Sequence, residues 1–203
     1  MEKLTMRQQK ALKTKQKILD TSLYLFGRKG FNNVTVDEIV QVSGTSKGAF
    51  YTHFKSKHEV FLEKFKEIDN FYLDFMKKMP EHIDASEQIL KLTETQMKYL
   101  RDYLGKDLIR TIYTNAIDPN TSQFLINESR PYFNIVHKIV EKGQENGEFK
   151  NTISPDRITN LVTRNIRGSL YDWCLYEDEK YDLVQESLDV IKLLLEGLKA
   201  TNS

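Results

Sequence analysis

The stretch SGTSKGAFYTHFKSK, residues 43–57, holds the side chains in this chain best placed to do chemistry. Two glycines, Gly44 and Gly48, lie four apart among three lysines, three aromatics and His53. Such a set suits two tasks: cradling a nucleotide phosphate, or forming the turn and second helix of a DNA-reading motif. A nucleotide loop needs Gly, four residues, then Gly-Lys-Ser/Thr, so that the lysine reaches the terminal phosphates and the hydroxyl reaches magnesium. Here Lys47 precedes Gly48, and no Ser or Thr follows in the magnesium position. The dinucleotide fingerprint also fails, because no strand precedes the glycines. The helix-turn-helix reading fits better. Gly44 falls between two short helical patterns, where a tight turn needs positive φ. Ile39 and Val42 are expected to face the core from the first helix, and Phe50 to anchor the second. Lys47 and Tyr51 lie one turn apart along a flank. Lys47 stands at the N-terminal end of the second helix, the end that such motifs insert into the major groove. Gly48 removes bulk where backbone must approach DNA. Tyr51, His53 and Lys57 can donate to phosphates, contacts that position a protein without specifying sequence.

The elements that must hold these residues read as helices almost throughout, with sparse Gly and Pro between periodic segments. The first helix is expected over about Lys13–Lys29, with Gly30 as a left-handed cap and Phe31 folding back onto Phe26. Thr35 and Glu38 form a capping-box pattern for the second, with Val34 and Ile39 as its hydrophobic staple. A third runs from about Thr45 or Ser46 to Phe54. Ser56 and Glu59 repeat the box before a fourth, whose apolar positions Phe61, Phe65, Ile68, Tyr72, Phe75 and Met79 form one seam up to Pro80. Further helices are expected near Ser86–Leu104, Lys106–Ile117 and Ser122–Glu145, the last interrupted near Pro131. Two more run from Ser154 and Pro155 to Tyr176, and from Tyr181 to Lys199. The fold class is therefore all-α, with about nine helices.

Charge is unevenly divided. Residues 1–60 carry eleven Lys and Arg against five Asp and Glu, whereas the whole chain has a formal net charge of +1. A basic first part joined to an acidic remainder points to a polyanion partner for the first part, although a basic tail can also be a solvated end. No apolar run is long enough to span a bilayer, and no apolar signal core follows the basic N-terminus, so a cytoplasmic protein without membrane association is expected. The single cysteine, Cys174, leaves no internal disulfide framework. His53, His58, His82 and His137 show no metal-ligand spacing with it, and no G-x-S-x-G elbow is present. No enzyme, metal or cofactor is expected.

The segment TVDEIVQVSGTSKGAFYTHFKSKHEVF resembles the N-terminal domain of TetR-type transcriptional regulators. The shared positions are Thr35, Val36, Ile39, Gly44, Ser46, Gly48, Phe50, Tyr51, His53, Phe54, Ser56, Lys57 and Val60. ILDTSLYLFGRKGFNNVTV resembles the helix that precedes them, and EKGQENGEFKNTISPDRITNLV and IRGSLYDWC look like C-terminal regions of the family. Val40, Ser43 and Thr45 depart from the usual Ala, Ala and Val. The resemblance implies an N-terminal three-helix DNA-binding domain over 1–55, with the motif at about 35–54. A helical ligand-binding and dimerisation domain would follow over 56–203.

It further implies that Lys47 and Thr45 meet base edges and that Gly48 permits close approach. Ser46 belongs to the same surface, and Tyr51, His53 and Lys57 hold phosphates. Thr35 touches the backbone through its helix terminus. A capping role alone also explains Thr35, and His53 can equally brace the turn. The partners implied are double-stranded DNA with a palindromic operator, a second copy of the chain, and a small-molecule effector. A repressor is favoured over an activator, and a helical protein-interaction module is a distant alternative. The final helix is too apolar for one core-facing stripe. Ile158, Leu161, Ile166, Leu188, Ile191 and Leu195 are therefore candidates for a dimer interface, with about half of such residues expected in the chain's own core. Candidates for an effector pocket are Phe71, Phe75, Tyr99, Tyr103, Tyr113, Phe124, Phe133, Tyr171 and Trp173. Aromatics at helical spacing also serve as plain core. Arg110, Asn165 and Arg167 add polar groups to otherwise apolar helices, where a buried Arg would need an acidic partner.

Overall fold

The computed structural model describes residues 5–80, 82–115, 125–177 and 180–200. Nine α-helices are formed among them, and no strand beyond a single bridge between Phe149 and Lys199. The described residues fall into two compact units. The first comprises those within Met1–Glu67 and Arg110–Leu125, and the second those within Ile68–Ile109 and Ile126–Ser203.

In the first unit, α1 spans Met6–Lys29 and starts about two turns earlier than the apolar pattern suggests. Thr5 is the reason. Its hydroxyl accepts from the Gln8 N–H, and the Gln8 side chain accepts from the Thr5 N–H, a complete capping box. The buried face begins only at Ile18. At the other end Gly30 adopts φ 78°, and Phe31 returns to within 5.0 Å of Phe26. Phe61 closes the group, 5.1 Å from each ring.

Helix α2 spans Val36–Ser43. Thr35 caps it by accepting from the Glu38 N–H at 3.1 Å. The Glu38 carboxylate pairs with Lys29 instead of returning to Thr35, so the expected reciprocal half is replaced by an ion pair. The C-terminus is a Schellman turn. Gly44 sits at φ 60° and ψ 36°, Thr45 N–H donates to the Val40 carbonyl at 2.9 Å, and Gly44 N–H to that of Gln41 at 3.2 Å. One expectation is corrected here: Val42 is 57% exposed, and Ser43 takes the inward place. Position 43 is four residues beyond the buried Ile39 and so falls nearer its face than position 42. The Ser43 hydroxyl is paired with that of Thr45 at 2.7 Å.

Helix α3 spans Lys47–His53, with Ser46 as its cap. Helix α4 spans Lys57–Met76 and contributes residues to both units. Ser56 accepts from the Glu59 N–H at 3.4 Å, while Glu59 returns to Lys55 rather than to Ser56. The helix ends before Met79 because the backbone tightens into three-residue turns ahead of Pro80.

The second unit is a ring of four helices: α5 (Ala85–Tyr99), α7 (Pro131–Glu145), α8 (Pro155–Leu175) and α9 (Leu183–Leu198). Helix α5 packs on α7 and α9, and α8 on α7 and α9. A π-type turn over Leu100–Leu104, closed by Gly105 at φ 77°, leads from α5 into α6 (Lys106–Asn115). Pro131 starts α7 afresh rather than kinking a longer helix. The α5 start differs from expectation. Asp84 is the cap, and the Glu148 carboxylate accepts from the N–H groups of Ala85 at 2.7 Å and Ser86 at 2.8 Å. A residue 62 positions away thus satisfies donors that local sequence leaves open.

Gly143 is the most closely packed of the glycines described. A Cβ there would lie 2.5 Å from the Phe149 ring and 2.8 Å from the Ala85 side chain. Gly143→Ala is expected to destabilise the chain by about 1–3 kcal/mol through overpacking. Thermal or urea unfolding checks it, and an unchanged midpoint would show that Phe149 can move aside.

Candidate nucleic-acid interface

Helix α3 is positioned from beneath. Phe50 and Phe54 are buried, with rings 5.8 Å apart, and Ser46 accepts from the Ala49 N–H at 3.1 Å. The opposite strip, Lys47, Gly48, Tyr51 and Thr52, is exposed. The Thr52 hydroxyl is held by the Gly48 carbonyl at 2.7 Å. Tyr51 stands edge-on against Phe50 at 5.4 Å with 56% of its surface exposed, so its hydroxyl is carried outward by a packed ring. At Gly48 a Cβ would meet only the Ser46 hydroxyl, at 3.8 Å. The protein's own packing therefore does not require glycine at this position. Gly44 is different, because its left-handed φ strains any other residue.

Lys47 pairs across the motif with Asp37 in the first turn of α2, Nζ to Oδ1 at 2.7 Å. The hydrogen bond it donates to Asp37, aided by the charge of that carboxylate, holds the Lys47 ammonium above the usual lysine range. Thr35 is exposed as a helix cap, and Ser46 is exposed as the next one. Thr45 is half-buried, with its hydroxyl on Ser43. His53 is half-buried at the end of α3, against Phe54. Lys57 turns inward. Its ammonium donates to the Phe31 carbonyl at 2.8 Å and the Val34 carbonyl at 2.5 Å, and sits 4.5 Å from the Phe31 ring centre. Partial burial pushes it below the usual lysine range. One of its three protons is left for an outside acceptor. Lys17 was not legible as part of this surface. Its ammonium lies 3.6 Å from where a Gly44 Cβ would sit, beside the turn.

In the second unit three pocket candidates form a column. Phe71 stacks on Tyr99 at 4.1 Å, and Tyr99 on Tyr103 at 5.3 Å, with Tyr103 itself 79% exposed. Phe133 stacks on His137, which bridges Glu141 and Asp156. Trp173 is buried beneath the Lys106 ammonium, Phe75 is half-buried and Tyr171 is exposed. Asn165 is turned onto its own helix, donating to the Leu161 carbonyl, and Arg167 is half-buried. Arg110 and Tyr113 belong to the first unit, and Phe124 lies outside the described residues.

The polar centre of this unit is elsewhere, and sequence reasoning missed it. Arg130 grips Asp69 with two hydrogen bonds, at 2.8 and 3.1 Å, both side chains largely buried. Tyr72 and Tyr132 lie beside them with rings 5.1 Å apart. Burial drives both phenols well above the usual tyrosine range. The side-chain oxygen of Gln96 is buried there without a hydrogen-bond partner. Asp69 alone hinted at this cluster, as an acid inside the apolar seam of α4.

The proposed interface residues divide. Ile158, Ile166, Ile191 and Leu195 are buried in the chain's own core, while Leu161 and Leu188 are half-buried. The large apolar side chains that α8 and α9 leave outside are Tyr171, Leu175, Val190 and Leu193.

Two family models match the chain. The family model for bacterial regulatory proteins of the tetR family matches residues 18–63. The model for the C-terminal region of YsiA-like proteins matches residues 61–197. The transcriptional regulator QacR of Staphylococcus aureus is 31% identical over 145 residues, covering 66% of this chain and 73% of that protein. The fatty acid metabolism regulator protein of Bacillus subtilis is 23% identical over 182 residues, 89% of this chain and 93% of its own. The solved structure of the Bacillus subtilis regulator FadR in complex with stearoyl-CoA shares the fold, with a TM-score of 0.77 at 23% identity over 90% of this chain and 98% of that one.

Lys57→Ala removes the donor shared by two backbone carbonyls. It is expected to cost about 1–3 kcal/mol in unfolding free energy, measured in urea. Tyr51→Phe, whose hydroxyl has no structural task among the described residues, is expected to leave stability within about 0.5 kcal/mol of the parent.

Proposed function

This chain belongs to the tetR family of bacterial regulatory proteins, and we propose that it is a homodimeric repressor released from a palindromic operator by a small molecule. Membership of the family makes it a ligand-responsive, DNA-binding transcriptional regulator. The observation that carries the reading is the exposed strip of α3. Lys47, Gly48 and Tyr51 face outward, and glycine at 48 answers no need of the chain's own packing. A backbone that must come close to another molecule explains it. Lys47 and Thr45 would meet base edges, and Tyr51, His53 and the remaining proton of Lys57 would meet phosphates.

One α3 reads one half-site, so a palindrome needs two copies. Support for a dimer comes from Tyr171, Leu175, Val190 and Leu193, which α8 and α9 leave uncovered. Gly168 and Gly197 on the same helices have nothing within 4 Å of a Cβ, which leaves room for a second backbone. The effector would enter the second unit, near the aromatic column or the Tyr72–Gln96–Tyr132 cluster. A relative named for fatty acid metabolism, and a solved structure of like fold that holds stearoyl-CoA, make acyl thioesters the first class to try. Ligand would favour a state that cannot hold both reading helices on DNA, a population shift. Helix α4, which follows the recognition motif and contributes residues to both units, is the covalent route for it. Repression is favoured by relatives named as a negative regulator and as an operon repressor. We assign no catalytic role and a site of action on cytoplasmic DNA.

Full-length protein should retard DNA from upstream of its own gene, with affinity falling steeply as salt rises. Salt-independent or absent retardation would sink the reading. Lys47→Ala should lower operator affinity by about 5–100-fold, the worth of one good base contact. Leu193→Glu should convert the dimer to monomer in sedimentation and abolish operator binding, while the monomer keeps the helical circular dichroism of the parent and a melting temperature that no longer varies with protein concentration.

A further inference from the structure

Lys47 does not face outward alone. Asp37 stands beside it, both side chains more than half exposed, and the two are joined Nζ to Oδ1 at 2.7 Å. An acid on a DNA-facing surface needs a reason, since it repels phosphates. Stabilising the start of α2 is one reason, because a carboxylate favours a helix N-terminus. That end already has the Thr35 cap and the Glu38 carboxylate, and Asp37 does not aim at the α2 backbone but across to α3.

The pair presents an acceptor and a donor side by side. The major-groove edge of a G·C pair presents the complement. Cytosine N4 is a donor and guanine O6 is an acceptor, and the two are joined by a base-pair hydrogen bond, so they lie about 2.9 Å apart. That separation is close to the one between the Asp37 and Lys47 atoms. Asp accepting from cytosine N4, and Lys donating to guanine O6 or N7, are the pairings that groove chemistry favours. Gly48, one residue beyond Lys47, leaves the helix surface low at this point.

We propose that Asp37 and Lys47 together read a single G·C base pair in each half-site, Asp37 accepting from the cytosine amine and Lys47 donating to the paired guanine. The inference rests on the regulator reading above. In the free protein the two groups satisfy one another, which keeps both side chains at the corner between α2 and α3. On operator DNA they exchange that contact for the base pair. On other DNA the carboxylate meets no donor and repels the backbone, so Asp37 lowers non-specific binding while it adds specificity.

Selection from a random duplex pool, with full-length wild type, Asp37→Ala, Asp37→Asn and Lys47→Ala, tests this. Wild type should require a G·C pair at one position per half-site. Asp37→Ala should lose that preference by about 5–100-fold, keep the others, and bind non-operator DNA more tightly. Asp37→Asn should move the preference towards A·T, since Asn reads adenine. Lys47→Ala should relax the same position. Unchanged melting temperatures check that the variants fold. An Asp37→Ala protein with the wild-type base profile overturns the inference alone, as does loss at a different position from that affected by Lys47→Ala. A wild type that selects no sequence overturns the regulator reading and this inference with it.

Discussion

A seven-residue helix is not stable in water by itself, because it cannot recover the cost of its own nucleation. Helix α3 is such a helix, and the side of it proposed to meet DNA is left bare. Everything around it supplies what it lacks. The Schellman turn at Gly44 fixes its direction of entry, Ser46 satisfies its first donors, and Phe50 and Phe54 fasten it from below. Lys57 then ties the start of α4 to the carbonyls of Phe31 and Val34, so that the chain leaves α3 as firmly as it enters. Stability and recognition are divided by face: aromatics inward, polar groups and glycine outward.

The second unit solves a different problem. Four helices of ordinary length can form a core with little help, but their ends must be satisfied across long stretches of chain. Glu148 does this for α5, and the backbone of Lys150 and Ala200 ties the loop after α7 to the end of α9. Gly143 lets Phe149 close over that junction. The buried Asp69–Arg130 pair and the two phenols beside it sit in a part of the unit where an apolar core would be simpler to build. Removing either partner of such a pair would leave an uncompensated buried charge.

Local signals were the readable ones. The Gly44 turn, the Thr35 and Ser154 caps, and Phe31 folding onto Phe26 each depend on residues within a few positions, and each is present. The start of α1 was missed because its signal, Thr5 with Gln8, precedes any apolar periodicity. Val42 was misplaced because an eight-residue helix gives too few apolar residues to fix its phase, and a small polar residue, Ser43, took the inward position. The inward turn of Lys57 was hidden because the carbonyls it bonds lie more than twenty positions earlier, which no spacing rule reveals. Asp69 with Arg130, and Glu148 with α5, are separated by about sixty residues and become visible only in three dimensions. Of the interface candidates, the most apolar positions turned out to hold the chain's own core, and the outward ones were their neighbours.

The only tryptophan of the chain, Trp173, belongs to the second unit, buried with the Lys106 ammonium 5.3 Å from its ring centre. An indole is a light emitter whose colour follows the electric field around it, and here an ammonium lies over its ring. The emission of the protein is therefore a one-residue optical record of the second unit. The first unit, which has no indole, is silent in that band, so a spectral change reports on the second unit without being disentangled residue by residue.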